Sequence, residues 1–133
     1  MAKNRLVDTS IIVDYLRGNK KAASFLNSQN PVVVSTITAA EIYQGAESKK
    51  ELSILKKLIN RFKVVPINAN ICQLALTLLE KYTLSHHLLI LDSLIAATVI
   101  ENKLTLVTGN YKHFSMIKKL QTQKWLQSKD SEN

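Results

Sequence analysis

What most restricts the fold of this chain is an alternation. Short β-branched or apolar runs are separated repeatedly by longer segments with helical spacing. The runs are "NRLVD" (4–8), "VVVST" (32–36), "KVVPI" (63–67) and "TLVT" (105–108), each of a length and composition suited to a strand. Between them, residues 9–17 read as a helix stopped by Gly18, and 20–29 as a second helix ended by Asn30-Pro31. Residues 37–46 read as a short helix. Residues 48–62 carry apolar side chains at 52, 55, 58, 59 and 62, with Ser48 and Glu51 spaced as a capping box. Helices follow over 69–84 and 91–102, with Asp92 in the first turn of the latter; 111–120 is expected to be helical and 120–125 a last short strand. Strands alternating with helices imply an α/β fold, a mainly parallel sheet covered on both faces. In such sheets ligands bind outside the carboxyl ends of the strands.

The chain has 133 residues, 46% of them hydrophobic, which is enough for one domain with a real core. Aromatics make up only 6%, so that core must be built from Leu, Ile, Val and Ala. The domain is expected over residues 1–125, with a polar tail at 126–133 ending "SKDSEN". No apolar run reaches the length of a membrane span, and no basic region followed by an apolar stretch opens the chain. The single Cys72 has no disulfide partner in the chain; in "ICQLALTLL" it is expected to be a small buried residue. These features point to a cytoplasmic protein without membrane association. Eighteen basic residues against ten acidic give a net charge of +8. Paired lysines (20–21, 49–50, 56–57, 118–119) fit solvated helix faces, and together they also attract phosphates.

Against that basic background four carboxylates stand out, because each is embedded in apolar sequence: Asp8 in "LVDTS", Asp14 in "IIVDYL", Glu41 in "TAAEIY" and Asp92 in "LILDSLIAA". An ionised carboxylate is costly to bury without a partner. Asp8 and Asp92 fit helix N-terminal roles, and Glu41 fits a lysine partner. The alternative is convergence. Asp8 ends the first strand, Glu41 lies on the helix after the second, Asp92 opens the helix before the fourth, and "VTGN" brings Asn110 to the same edge. Three such groups repel one another unless a hard cation sits among them. Oxygen donors without His or Cys suit Mg²⁺, with Mn²⁺ as a substitute. In a basic protein this pattern suggests metal-assisted phosphodiester hydrolysis.

Four segments resemble, in order, the motifs of PIN-domain proteins, and specifically of VapC-like ribonuclease toxins from type II toxin–antitoxin pairs. "LVDTSIIVDYLRG" is similar to the first motif, with its aspartate at Asp8. "VSTITAAEIYQGA" is similar to the second, with its glutamate at Glu41. "LLILDSLIAATVIENKLTLVTGNYKHF" resembles the third and fourth together, with the aspartate at Asp92. The resemblance spans roughly Arg5 to Trp125. It implies a three-layer α/β/α sandwich with a parallel sheet of strand order 3-2-1-4-5. It implies a Mg²⁺-dependent endoribonuclease whose catalytic and metal-binding residues are Asp8, Glu41 and Asp92. Thr9, Ser10 and Asn110 would support them. Asn110 stands where many members carry a fourth acidic residue, so less negative charge is available for a second metal. The implied partners are RNA, a VapB-like antitoxin and a second copy of the chain in a homodimer.

Asp14 is expected at a partly exposed helix position rather than beside the site, and His86-His87 in an exposed loop. Phe114 is expected in the core. Arg17 and Lys112 suit either solvent or RNA phosphates, and Tyr43 and Trp125 suit base stacking, the core or a dimer interface. The stripe Leu52, Leu55, Ile59 is expected to offer part of a partner-helix groove, its inner part packing on the sheet. Two rival readings remain: a non-catalytic PIN-like module that binds RNA or a protein, favoured by Asn110, and a phospho-acceptor domain of the receiver type. The latter fits poorly, because "NRLVDTS" has one early aspartate rather than a pair.

Overall fold

A computed structural model of the chain describes residues 4–126. The strands are β1 (Arg5–Val7), β2 (Val33–Ser35), β3 (Lys63–Val65), β4 (Thr105–Thr108) and β5 (Thr122–Lys124). The helices are α1 (Thr9–Leu16), α2 (Lys20–Asn27), α3 (Thr36–Gln44), α4 (Lys49–Asn60), α5 (Ala69–His86) and α6 (Ile90–Glu101). Local chemistry sets most of the helix starts. Asp8, Asn19, Ser35, Ser48 and Asn68 each accept a backbone N–H in the first turn of the helix they open. Such caps are worth about 1 kcal/mol each. Gly18, at φ 89°, supplies the left-handed turn between α1 and α2.

All strand pairing is parallel. β1 pairs with β4 and β4 with β5, while β2 pairs with β3 in a separate two-stranded ladder. The register Leu6↔Leu106 and Val7↔Val107 sorts side chains by the two-residue strand period. Leu6 and Leu106 enter a core with Ile71, Leu78, Ile95 and Phe114, beneath α5 and α6. Val7 and Val107 enter the opposite core with Ile11, Ile12, Ile42 and Ile59, beneath α1 to α4. Helices therefore cover both faces, as the alternation predicts. Each fully buried Leu, Ile, Val or Phe contributes about 1.5–3 kcal/mol.

A single hydrogen-bonded sheet of order 3-2-1-4-5 is not formed. β2 lies beside β1, but no ladder joins them. The two are three-residue strands, which exchange few bonds. A cavity of about 560 Å³, lined by Asn4, Arg5, Val33 and Lys63, opens at their amino ends.

Other expectations also need correction. Residues 111–120 are not an α-helix: a single 3₁₀ turn at Tyr111–His113 is followed by turns that bury Phe114, Ile117 and Leu120. α5 runs two residues further than its apolar pattern, through His86, and His87 caps it at φ 54°. Both histidines are exposed, as expected, but one ends a helix rather than lying in a loop. Cys72 is exposed. The buried face of α5 follows Ile71, Ala75, Leu78 and Tyr82, and Cys72 is rotated one residue off it. On α4, Leu55 and Ile59 are buried in the core, the inward packing expected for the inner part of this stripe, and Leu52 is half-buried. The last short strand does form, as β5. All but the first residue of the expected 126–133 tail lie outside the described residues.

Candidate functional site

The carboxyl ends of β1 and β4 create the site. Parallel register sets Asp8 beside Thr108, one step past the Val7↔Val107 pair. Thr108 Oγ1 donates to Asp8 Oδ2 at 2.6 Å, and the Thr9 N–H donates to Asp8 Oδ1 at 2.8 Å. The Asp8 N–H is itself bound to Val107 O at 2.9 Å. Asp8 is thus held on both carboxylate oxygens and is only 4% exposed. It caps α1 and also faces the pocket, so the two readings of this residue describe one geometry.

Glu41 arrives from the other half of the fold. α3 places it three residues after Thr38, on the same helix face. Thr9 Oγ1 lies 2.6 Å from Glu41 Oε1 and 2.8 Å from Thr38 Oγ1. A hydroxyl has one proton, and an ionised carboxylate only accepts. With Glu41 ionised, Thr9 therefore donates to it, and Thr38 donates to Thr9. The chain of donors runs from the buried Thr38 outward to Glu41. Ser10, the next residue, accepts the Gly109 N–H at 3.1 Å and so fastens the loop after β4 to α1. The Asn110 N–H donates to Thr108 Oγ1 at 2.9 Å, and the Asn110 side chain reaches solvent beside the pocket.

Asp92 sits in the first turn of α6, where the helix dipole favours an anion. Its side chain is 22% exposed, and His113 Nδ1 lies 3.7 Å from it. Asp8, Glu41, Asp92 and Asn110 line one pocket of about 300 Å³, with Thr9, Ser10, Asp14, Arg17 and Leu91. The structure brings together every residue singled out for the site from the sequence, and it adds Asp14. That residue holds the partly exposed helix position expected of it, but it also lines the pocket, and its Oδ2 accepts the Trp125 indole N–H at 3.1 Å. Trp125 is a core residue, buried against Phe25 with ring centroids 5.3 Å apart. Phe114 is likewise core, as expected.

The charges in this pocket are in tension. Burial raises the Asp8 carboxyl above its ordinary value; the Thr108 and Thr9 hydrogen bonds oppose this, and the charge of Glu41 adds to it. Burial also raises Asp92, with His113 opposing and the charges of Asp8 and Glu41 adding. Among the described residues no three acidic, His or Cys side chains stand close enough to ligate one ion as they are placed. The donor set is nevertheless all oxygen. Mg²⁺ keeps several waters and typically takes only one or two carboxylates directly, so a loose ring of acids fits such an ion.

Thr38, Thr108 and His113 were not recognised from the sequence as parts of the site. Thr38 leaves a weak signal, since it stands one helical turn before Glu41. Thr108 leaves none, since its place depends on the β1–β4 register; His113, in "KHF", falls at a position that matches the family, but its place beside Asp92 depends on the turn after β4.

A family model described as PIN domain matches residues 5–120. The chain belongs to the PIN-domain family. Within it, the chain is 32% identical over 119 residues to "Ribonuclease VapC10" of Mycobacterium tuberculosis, covering 86% of this chain and 89% of that protein. It is also 32% identical over 122 residues to "Ribonuclease VapC19" of the same organism, covering 88% and 97%. Among solved structures it resembles a "Toxin-antitoxin complex from Klebsiella pneumoniae" with a TM-score of 0.74 and 26% identity, over 87% of this chain and 94% of the other. The receiver-type reading is thereby overturned.

Proposed function

We propose that this protein is a divalent-metal-dependent endoribonuclease, with Mg²⁺ as the natural ion and Mn²⁺ as a substitute, acting as the toxin of a VapBC-type pair. The observation that carries the reading is the convergence of Asp8, Glu41 and Asp92 on one pocket at the carboxyl edge of the strands. The names of the two curated relatives supply the substrate class, RNA.

When bound, the cation would neutralise charge on the phosphodiester and lower the pKa of a neighbouring water. The chain's own residues do the positioning. Asp8 is the rigid anchor: each of its oxygens uses one lone pair on a fixed donor and keeps another for the pocket. Thr9 and Thr38 orient Glu41, and Asp92 supplies the third carboxylate from α6. Asn110 adds an amide oxygen without charge. Arg17, on the rim of the same pocket, offsets phosphate charge.

A partner surface adjoins the site. Leu89, Ile90 and Leu91 at the start of α6 are 63%, 61% and 43% exposed, and Leu91 lines the pocket. An antitoxin helix seated there would cover the carboxylates. Unlike the α4 stripe, whose Leu55 and Ile59 belong to the core, this surface touches the acidic pocket. The homodimer and a cytoplasmic setting belong to the same reading. Among the described residues no helix is long and apolar enough to cross a membrane.

The test is cleavage of a labelled RNA by the purified chain with EDTA, Mg²⁺ or Mn²⁺, beside Asp92→Asn. Cleavage that requires the ion and disappears in the variant supports the proposal. Absence of cleavage under all three conditions would return the non-catalytic module to first place.

A further inference from the structure

A second pocket, of about 500 Å³, adjoins the acidic one and shares Asn110 with it. It is floored by Gly109 and the 3₁₀ turn after β4 and walled by the end of β5. Its lining includes Tyr111, Lys112, His113 and Lys124, and among the described residues none that lines it is acidic. Lys112 and Lys124 are exposed, and the Lys124 ammonium lies 4.7 Å from the Tyr111 ring centroid. Trp125 contributes only an edge, since its ring is buried against Phe25 and under Lys21.

The two pockets pose a problem of charge. Three carboxylates repel a polyanion, so a nucleic acid is held at the first pocket only if cations beside it compensate. Arg17 does so from α1. The second pocket does so from the opposite side of Asn110, and it offers what a single strand needs: cations for phosphates and an aromatic ring beside them. We propose that this pocket is a nucleotide subsite, in which Lys112 and Lys124 bind the phosphates flanking the scissile one and Tyr111 packs on the adjoining ribose or base. The inference rests on the ribonuclease reading for the identity of the strand. It extends that reading by saying where the strand leaves the acidic pocket.

Binding is tested in the Asp92→Asn background, with a short fluorescein-labelled oligouridylate, by anisotropy across a salt series. Lys112→Ala and Lys124→Ala are compared with Lys63→Ala. Lys63 begins β3 and so lies at the opposite, amino edge of the strands. Removing one cation that neutralises a phosphate of a single strand lowers the slope of log K against log salt by about 0.7. The expected result is that fall for Lys112→Ala and for Lys124→Ala, about twice as much for the double variant, and no change for Lys63→Ala. With Asp92 intact and a cleavable RNA, the double variant should raise KM several-fold and leave kcat close to its original value, because the two lysines hold substrate and transition state equally. Unchanged slopes in both lysine variants, or no measurable binding in the Asp92→Asn background, would overturn the subsite. If the slopes fall as expected but the unmodified protein cleaves no RNA, the subsite stands and the nuclease reading fails.

Discussion

Single residues divide into those that carry charge into the pocket and those that hold them there. Asp92 is the clearest of the first group. Its folded pKa lies above the ordinary 3.8, chiefly through burial. A carboxyl raised in the folded state contributes stability that is fully present below the unfolded value and lost as pH rises through the folded one. Metal-free protein at neutral pH therefore bears the cost of ionising this group. Asp92→Asn removes that cost, so in EDTA the variant should melt at or above the unmodified protein at neutral pH, and the gap should close as pH falls toward 3.8. Melting curves across that range check it, and a variant that melts well below the unmodified protein at neutral pH counts against it. Loss of a supporting group around a metal ligand costs about 10–100-fold in activity, so loss of Asp92 itself should cost more than about 100-fold. Thr38 belongs to the second group. Thr38→Val removes the donor behind Thr9, while Thr9 still donates to Glu41 and Ser35 still accepts the N–H of residue 38, so the cost is that of one net hydrogen bond, about 0.5–1.5 kcal/mol. It should lower cleavage by about 10–100-fold, with Thr38→Ser restoring most of both; equal cleavage by the Val variant would show that Glu41 does not need this chain of hydroxyls.

At the scale of elements, the helix starts follow local chemistry and their ends are less uniform. Gly18 has φ 89° and open space around a built Cβ, so Gly18→Ala meets no clash and shows the backbone cost alone, about 1–2 kcal/mol. Gly45, after α3, has φ −79° and only ordinary contacts around its Cβ position. There the substitution to Ala should stabilise by about 0.4–1 kcal/mol, because it restricts the unfolded chain. Urea titrations of the two variants should therefore move in opposite directions. The short strands show a different dependence. Asp8 is held beside Thr108 only because β1 and β4 pair in register, whereas β2 and β1 touch without a ladder. The Glu41 half of the site thus joins the Asp8 half through side chains, by the shared apolar core of Val7, Ile11, Val34 and Ile42 and by the Thr9 hydroxyl, and not through a continuous sheet.

For the whole molecule, a net charge of +8 surrounds an acidic pocket. A divalent cation that binds the folded state alone must raise its stability by mass action, by about 2.7 kcal/mol at one hundred times the dissociation constant. Mn²⁺ should accordingly raise the melting temperature of the unmodified protein, and raise it much less in Asp92→Asn. Identical shifts in the two would place the ion elsewhere. Light scattering of the purified chain should give the mass of a dimer, and a monomer throughout the micromolar range would remove the homodimer from the proposal.

The sequence alone determined what depends on neighbours along the chain. Alternating strand and helix periods dictated an α/β fold with two covered faces. Ser48 and Glu51 announced the start of α4, and apolar surroundings marked Asp8, Glu41 and Asp92 as unusual, because burying a carboxylate has an energetic cost whatever surrounds it. Tertiary structure decided what depends on register and rotation. Thr108 is an ordinary strand threonine until parallel pairing sets it against Asp8. Cys72 sits in an apolar run yet faces water, because α5 turns its buried face one residue away. Trp125 reaches Asp14 only once β5 has joined β4. In each case the deciding contact joins segments far apart in sequence, and the free energy that selects it exists only when both have packed.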